Sequence, residues 1–228
     1  MQLRRWLVLF CAAIVAPASH AAEPHLATDL QKISYMVGLQ VGQNITRQGF
    51  TELDVAAFAL AVQDAIMSNP PRVSADDAKA AQAGYRAALI AKADQAAEKN
   101  MKDGADFLAA NGKRDGVITL DSGVQYRVLT PGEGDSPTLE NTIVAHYKGM
   151  LLTGQEFDSS YSRDEPLTFQ LTGVISGWRQ VVPRMKPGGK IEAWIPAEHA
   201  YGKRGSPPVI GPNSTLHFVI ELIGVKGK

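Results

Sequence analysis

Aromatic side chains with a few polar neighbours are the residues of this 228-residue chain that could do chemistry. They lie in its carboxy-terminal half, where Tyr147, Asp158 and Tyr201 accompany Phe157 and Trp178. Aromatic residues in such a region usually belong to the core. A carboxylate buried beside tyrosines is costly unless it has a role. We therefore interpret Tyr147, Tyr201 and Asp158 as site residues.

The usual catalytic sets are missing from the sequence. No serine lies in a Gly-x-Ser-x-Gly turn, and Pro187–Lys190 lacks the spacing of a phosphate-binding loop. Cys11, the only cysteine, lies near the amino terminus, so thiol chemistry is excluded from the mature chain. The histidines beyond the first 21 residues form no metal-ligand pair; they are His25, His146, His199 and His217. We predict no metal and no cofactor.

Several separate motifs in residues 115–225 resemble, in order and spacing, those of the FKBP-type peptidyl-prolyl isomerases. They are Val144–Ser160, Val174–Trp178, Ile195–Pro196, Ala200–Gly202 and Thr215–Phe218. Together with the segments before them, they make the whole chain similar to the macrophage infectivity potentiator (Mip) and FkpA group. That resemblance implies an isomerase and a V-shaped homodimer joined through amino-terminal modules.

The resemblance also implies a bent antiparallel sheet around one short helix, with the substrate pocket between them. Trp178 would form the floor of this pocket. The predicted substrate-binding residues are Phe157, Arg163, Leu167, Val174, Ile175, Trp178, Ile210 and Phe218.

Three residues would be catalytic if the family's roles carry over: Asp158, Tyr201 and Tyr147. Asp158 would lie beside the reacting amide, oriented by Tyr147 and Arg163. The backbone N–H of Ile175 and the hydroxyl of Tyr201 would hold the carbonyl groups of the substrate.

The chain departs from the family pattern at three positions. Leu167 replaces a second pocket phenylalanine, Gly173 stands where eukaryotic members are often acidic, and Ser206 replaces a histidine. Ser206 belongs to Lys203–Pro212, which would hang over the pocket as a flap. These changes bear on affinity for rapamycin- or tacrolimus-type ligands and on sequence preference, not on the reaction.

The implied reaction needs no covalent step. Rotation about a peptide bond has a barrier of ~18–20 kcal/mol because resonance is lost, and X-Pro isomerisation is slow. A dry aromatic pocket that fits the twisted bond favours the transition state. The expected substrates are unfolded or proline-containing exported proteins. The alternative is a dimeric chaperone whose isomerase activity is secondary.

Residues 113–228 must form the elements that position this site. Apolar and polar residues alternate there, which is typical of half-buried antiparallel strands. A short helix is predicted near Gly177, shortened by Pro183. These features predict an α+β domain, with strands at Val124–Leu129, Ile143–Leu152, Leu167–Leu171, Lys190–Ile195 and Leu216–Leu222.

The sequence of residues 22–73 predicts a small helical module. Leu30 to Val41 shows helical spacing, with Gly38 and Gly42 on one face, and a second helix spans Leu53–Met67. Two short helices bury too little surface to stand alone. We expect the module to dimerise with a second copy; packing on its own chain is the alternative.

Residues 74–112 predict a long helix rich in alanine, capped by Ser74. Between Ala91 and Asp106 the only large apolar side chain is Met101. A helix without an apolar stripe bridges domains through solvent. We therefore predict an exposed spacer with its weak point at Gly104; two shorter packed helices are the alternative.

Residues 1–21 have the pattern of a secretory signal peptide, with Arg4 and Arg5 before an apolar run and cleavage after Ala21. We expect export to the periplasm or the outer membrane, or secretion. The chain has 23 basic and 23 acidic residues, which does not favour a nucleic-acid partner.

Overall fold

The computed structural model describes residues 26–47 and 52–226. The fold class is the predicted one: helices first, then an antiparallel sheet with a short helix. The predicted signal peptide lies outside the described residues. Two compact units divide between Gln63 and Asp64. No helix in residues 26–47 and 52–226 is long and apolar enough to cross a membrane.

The amino-terminal unit contains α1, Asp29–Arg47, and most of α2, Val55–Ile66. A reciprocal capping box begins α1, because Gln31 N–H donates to Thr28 Oγ1 at 3.2 Å and Thr28 N–H donates to Gln31 Oε1 at 2.9 Å. No residue of α1 is buried. The apolar stripe predicted from the sequence is therefore exposed.

The carboxy-terminal unit is built on a sheet of seven strands within residues 52–226. All neighbours are antiparallel, in the order β1-β2-β6-β7-β3-β4, and β5 pairs with β3. Alternating burial along β3 and β7 places every second side chain in the core. The strands are β1 Val117–Thr119, β2 Gln125–Thr130, β3 Thr142–Leu151, β4 Glu156–Ser159, β5 Leu167–Gln170, β6 Lys190–Ile195 and β7 Leu216–Lys226.

One short helix, α4 at Ser176–Val181, packs against the inner face of the sheet. A Cβ on Gly177 would come within 2.7 Å of Ile195 Cδ1, so only glycine allows this close approach. Pro183 lies in a 3₁₀ turn that follows directly, Val182–Arg184. The predicted shortening by Pro183 is confirmed.

The long helix α3, Ala75–Asn111, begins where it was predicted, with Ser74 Oγ accepting from Asp77 N–H at 3.1 Å. The prediction of an exposed spacer is wrong for its carboxy-terminal half, which packs on the sheet. Gly104 is buried there against Thr215, so it is a point of close approach rather than a weak point.

The docked face of α3 is a stripe of small, polar and aromatic residues. Asn111 Nδ2 donates to Gln125 Oε1 at 2.8 Å, and Gln125 Nε2 donates to the Leu108 carbonyl at 2.9 Å. The Phe107 ring lies 6.4 Å from Trp194. Hydrogen bonds thus replace much of the apolar contact that usually holds a helix on a sheet.

Candidate active site

Trp178 lies at the centre of an aromatic cluster between α4 and the sheet. It is 5% exposed. The rings of Tyr147 and Phe218 meet it edge-on at 5.4 Å and 5.5 Å, with interplanar angles of 84° and 87°. Phe169 lies 5.5 Å away on another side. Edge-to-face packing is the preferred aromatic geometry, so the floor of the site is rigid and apolar.

Gly149, which the sequence interpretation gave no role, makes room for two of these rings. Phe157 and Phe218 meet at 5.7 Å and 86° directly above it. A Cβ on Gly149 would come within 2.6 Å of Phe157 and 2.9 Å of Phe218. A glycine inside a long strand is the signal that could have identified it.

The Asp158 carboxylate is held beside this cluster by two side chains. The Tyr147 hydroxyl donates a short hydrogen bond to its Oδ2, and Arg163 Nη1 donates to its Oδ1 at 2.8 Å. Arg163 Nη2 also donates to the Tyr147 hydroxyl at 3.2 Å. Tyr147 and Asp158 come from neighbouring strands and Arg163 from the turn after β4, so the sheet brings the three side chains together.

Electrostatics keep this carboxylate charged. Burial raises the pKa of Asp158, but the hydrogen bonds from Tyr147 and Arg163 and the charge of Arg163 outweigh burial, so the pKa lies below its ordinary value. The pKa of the Tyr147 hydroxyl is raised by burial and by its hydrogen bond to Asp158. Tyr147 therefore stays a donor while Asp158 stays ionised at neutral pH.

Ser160, which also had no predicted role, locks Tyr147 in place. Its fully buried Oγ accepts from Tyr147 N–H at 2.7 Å and lies 2.9 Å from His146 Nδ1. The Ser160 N–H donates to the Tyr147 carbonyl at 3.0 Å. The backbone of Tyr147 is thus fixed by the residue that follows β4, and this orients the ring that holds Asp158.

The two groups predicted to hold substrate carbonyls differ in their surroundings. Ile175 precedes α4, and no backbone hydrogen bond among residues 26–47 and 52–226 uses its N–H. Tyr201 is 41% exposed and Leu167 is 37% exposed, so neither belongs to the buried core. Val174 and Ile175 are partly buried and pack against that core.

The flap, defined as Lys203–Pro212, contributes Ile210 to the hydrophobic core of the domain, which also contains Tyr147, Trp178 and Phe218. Ile210 is 5% exposed. Ser206 N–H donates to the Ile210 carbonyl at 2.8 Å and Ile210 N–H to the Ser206 carbonyl at 3.1 Å. The loop is therefore closed on itself, with one apolar side chain buried in the core. Within the described part of the chain, no group of three or more His, Cys, Asp or Glu could hold a metal ion.

Known families match both parts of this architecture. The family model described as FKBP-type peptidyl-prolyl cis-trans isomerase matches residues 134–223. The model of the domain amino terminal to FKBP-type peptidyl-prolyl isomerase matches residues 30–128. The chain belongs to the FKBP-type peptidyl-prolyl cis-trans isomerases, in the group that includes Mip and FkpA.

Particular relatives cover nearly the whole chain. It is 36% identical over 226 residues to the peptidyl-prolyl cis-trans isomerase Mip of Coxiella burnetii, covering 94% of each chain. It is 35% identical to the outer membrane protein MIP of Legionella longbeachae, covering 88% of each. The crystal structure of FkpA from Escherichia coli matches with a TM-score of 0.62 at 37% identity, over 89% of this chain and 99% of that one.

Proposed function

We propose that this isomerase acts on X-Pro bonds of exported proteins as they fold, and that its site is the cluster around Trp178. Asp158, Tyr147 and Tyr201 would be the catalytic residues. The observation that carries this proposal is the charged Asp158 carboxylate, held by Tyr147 and Arg163 beside an apolar floor. Phe157, Val174, Ile175, Leu167, Ile210 and Phe218 would form the walls and rim.

The proposed chemistry is non-covalent. The planar amide is more dipolar than the twisted one, so an apolar floor disfavours the ground state relative to the transition state. Hydrogen bonds from the Ile175 N–H and the Tyr201 hydroxyl would hold carbonyl groups on either side of the rotating bond. The Asp158 carboxylate would act through its field on the carbonyl carbon as the bond twists.

A refolding assay tests this function on a protein substrate. With a client whose refolding is limited by prolyl isomerisation, the wild-type chain should shorten the slow phase, and Asp158→Ala should not. Lys186→Ala, in the turn before β6, is a matched surface control that should behave as wild type. Equal acceleration by Asp158→Ala would move the site elsewhere.

Residues 22–73 would form a homodimer. The support is the exposed apolar stripe of α1: Leu30 is 75% exposed and Ile33 60% exposed. A Cβ on Gly38 or Gly42 would meet nothing within 4 Å, so their face is open to a second copy. Changing both glycines to leucine should convert dimer to monomer in sedimentation equilibrium. Gly84→Leu, on the open surface of α3, should not.

We also propose export to the periplasm or the outer membrane, or secretion, after removal of residues 1–21. Residues 74–112 would then serve as the linker and 113–228 as the isomerase domain. The relatives support an exported protein, since one is named an outer membrane protein. Amino-terminal sequencing of the exported chain should begin at Ala22; detection of the intact amino terminus would contradict the cleavage.

The second candidate is a chaperone that binds unfolded chains, with catalysis secondary. It is favoured by apolar side chains exposed on α1 and α2, such as Met36 at 66% and Ile66 at 79%. Deleting residues 22–73 should then abolish suppression of aggregation and leave peptide isomerisation intact. The cut must spare the carboxy-terminal half of α3, because that half packs on the sheet.

A further inference from the structure

Backbone hydrogen bonds join the two sides of the flap at two places. Ser206 and Ile210 exchange hydrogen bonds near the tip, and Asn213 N–H donates to the Gly202 carbonyl at 2.9 Å at the base. These bonds set the shape of the loop. They do not set where the loop lies over the site, which depends on what holds its two ends.

The long helix α3 holds the carboxy-terminal end. Asn100 Nδ2 donates to the Pro212 carbonyl at 2.9 Å and to Ser214 Oγ at 3.3 Å. In the other direction, Asn213 Nδ2 donates a longer hydrogen bond to the Ala97 carbonyl, at 3.4 Å. The segment between the flap and β7 is therefore attached to one turn of α3.

The atoms around this attachment are closely packed. Asn100 is half-buried, and its single amide nitrogen serves two acceptors. A Cβ on Gly211 would come within 3.2 Å of that nitrogen, so a side chain there would crowd the contact. One turn further along α3, Gly104 packs against Thr215, which continues the same contact into the start of β7.

We propose that Asn100 is a positioning residue for substrate binding. By holding Pro212 it sets the position of Ile210, two residues earlier in the chain and in the hydrophobic core that also contains Trp178. Asn100 touches neither the substrate nor the aromatic rings; it acts through the flap. The inference rests on the proposed location of the site.

Loss of this anchor should affect binding more than the bond rotation. Tyr147 and Asp158, on β3 and β4, do not depend on the flap for their hydrogen bonds. Tyr201 directly precedes the flap, and its carbonyl accepts from Gly205 N–H, so it can move with the loop. A wall that contacts ground state and transition state alike contributes to KM and not to kcat. Asn100→Ala should therefore raise KM for a proline peptide about fivefold, the factor that one neutral hydrogen bond is worth, with a smaller change in kcat.

Asn111→Ala is the matched control. Asn111 is the same residue type on the same face of α3, but it bonds to Gln125 on β2 instead of the flap. It is 2% exposed, so its loss should lower the melting temperature more than loss of Asn100, yet leave KM unchanged. Asn100→Asp keeps the size of the side chain without its N–H donors and should raise KM as Asn100→Ala does.

Amide hydrogen exchange gives a readout that does not need catalysis. Flap amides should exchange faster in Asn100→Ala than in Asn111→Ala, because only the first loses the anchor. A wild-type chain without isomerase activity would refute the proposed function. In that case, the comparison of flap amide exchange in Asn100→Ala and Asn111→Ala would alone decide whether Asn100 positions the flap. With an active wild type, an unchanged KM in folded Asn100→Ala, or an equal rise in Asn111→Ala, overturns it.

Discussion

Gly104 of α3 lies so close to Thr215 at the start of β7 that a Cβ on Gly104 would collide with the Thr215 hydroxyl. Thr215 is 6% exposed and its Cβ would be 3.3 Å away. The contact joins the long helix to the strand that carries Phe218 into the site. It explains the presence of a glycine in a helix where alanine would otherwise be preferred.

Gly104→Ala should therefore destabilise the carboxy-terminal unit by about 1–3 kcal/mol, because overpacking outweighs the helix propensity gained. Thermal unfolding measures the change. Gly84→Ala, at an open position of the same helix, should instead raise stability by up to ~1 kcal/mol. A stabilised Gly104→Ala would show that the helix is not docked as described.

Gly149→Ala should disturb the aromatic walls. The added methyl meets Phe157 and Phe218 at 2.6 Å and 2.9 Å, so at least one ring must move. We expect a loss of stability of about 1–3 kcal/mol together with a lower kcat/KM for a proline peptide. Gly154→Ala is the control. Gly154 lies in the open turn after β3 at a φ of 86°, which strains any residue other than glycine, so this change should lower stability without changing kcat/KM.

His217 should make stability depend on pH. Its ring stacks on Trp194 at 5.2 Å, and it faces Glu192 with Arg114 and Arg127 nearby. Burial lowers the pKa of His217, and the Glu192 carboxylate only partly opposes this. The unfolded chain therefore binds the proton first, so stability is full above the ordinary pKa of 6.5 and falls as the pH drops below it.

The measurement is chemical denaturation of wild type and His217→Gln between pH 7.5 and 5. Wild type should lose more stability than His217→Gln over that range. Because the other histidines are common to both proteins, the difference isolates His217. Parallel curves would mean that protonation of His217 costs the folded state nothing.

Much of the fold follows from patterns that the sequence displays. The sequence pattern predicted β2, β3, β5, β6 and β7 to within a residue or two at most of their ends. The two strands that it missed, β1 and β4, have three and four residues and are too short to show a clear period. The position of α4 and its stop at Pro183 also follow from local rules.

The docked face of α3 could not be predicted, for a physical reason. Periodicity identifies packed helices by large apolar side chains, whereas this face consists mainly of Ala97, Asn100, Gly104 and Asn111. Small and amide side chains pack by close approach and hydrogen bonding, which leave no apolar signal. These residues are recognisable as a packing face only through their contacts with Gln125, Pro212 and Thr215, and those partners are distant in sequence.

The site residues were predicted through a family resemblance, not through spacing alone. The structure brings Tyr147, Asp158, Arg163, Trp178 and Phe218 together and leaves Leu167 and Tyr201 exposed, outside the buried core. Ser160 and Gly149 were missed because one acts on the backbone of Tyr147 and the other by lacking a side chain. The catalytic roles of Asp158, Tyr147 and Tyr201 remain predictions.

The measurement that tests the account most directly is cis-to-trans isomerisation of a short X-Pro peptide by residues 22–228, with and without rapamycin. We predict acceleration that rapamycin blocks, and a drop in kcat/KM of about tenfold or more in Asp158→Ala and Tyr201→Phe with the fold intact. Folded protein that gives no acceleration, or variants that match wild type, would contradict the proposed site.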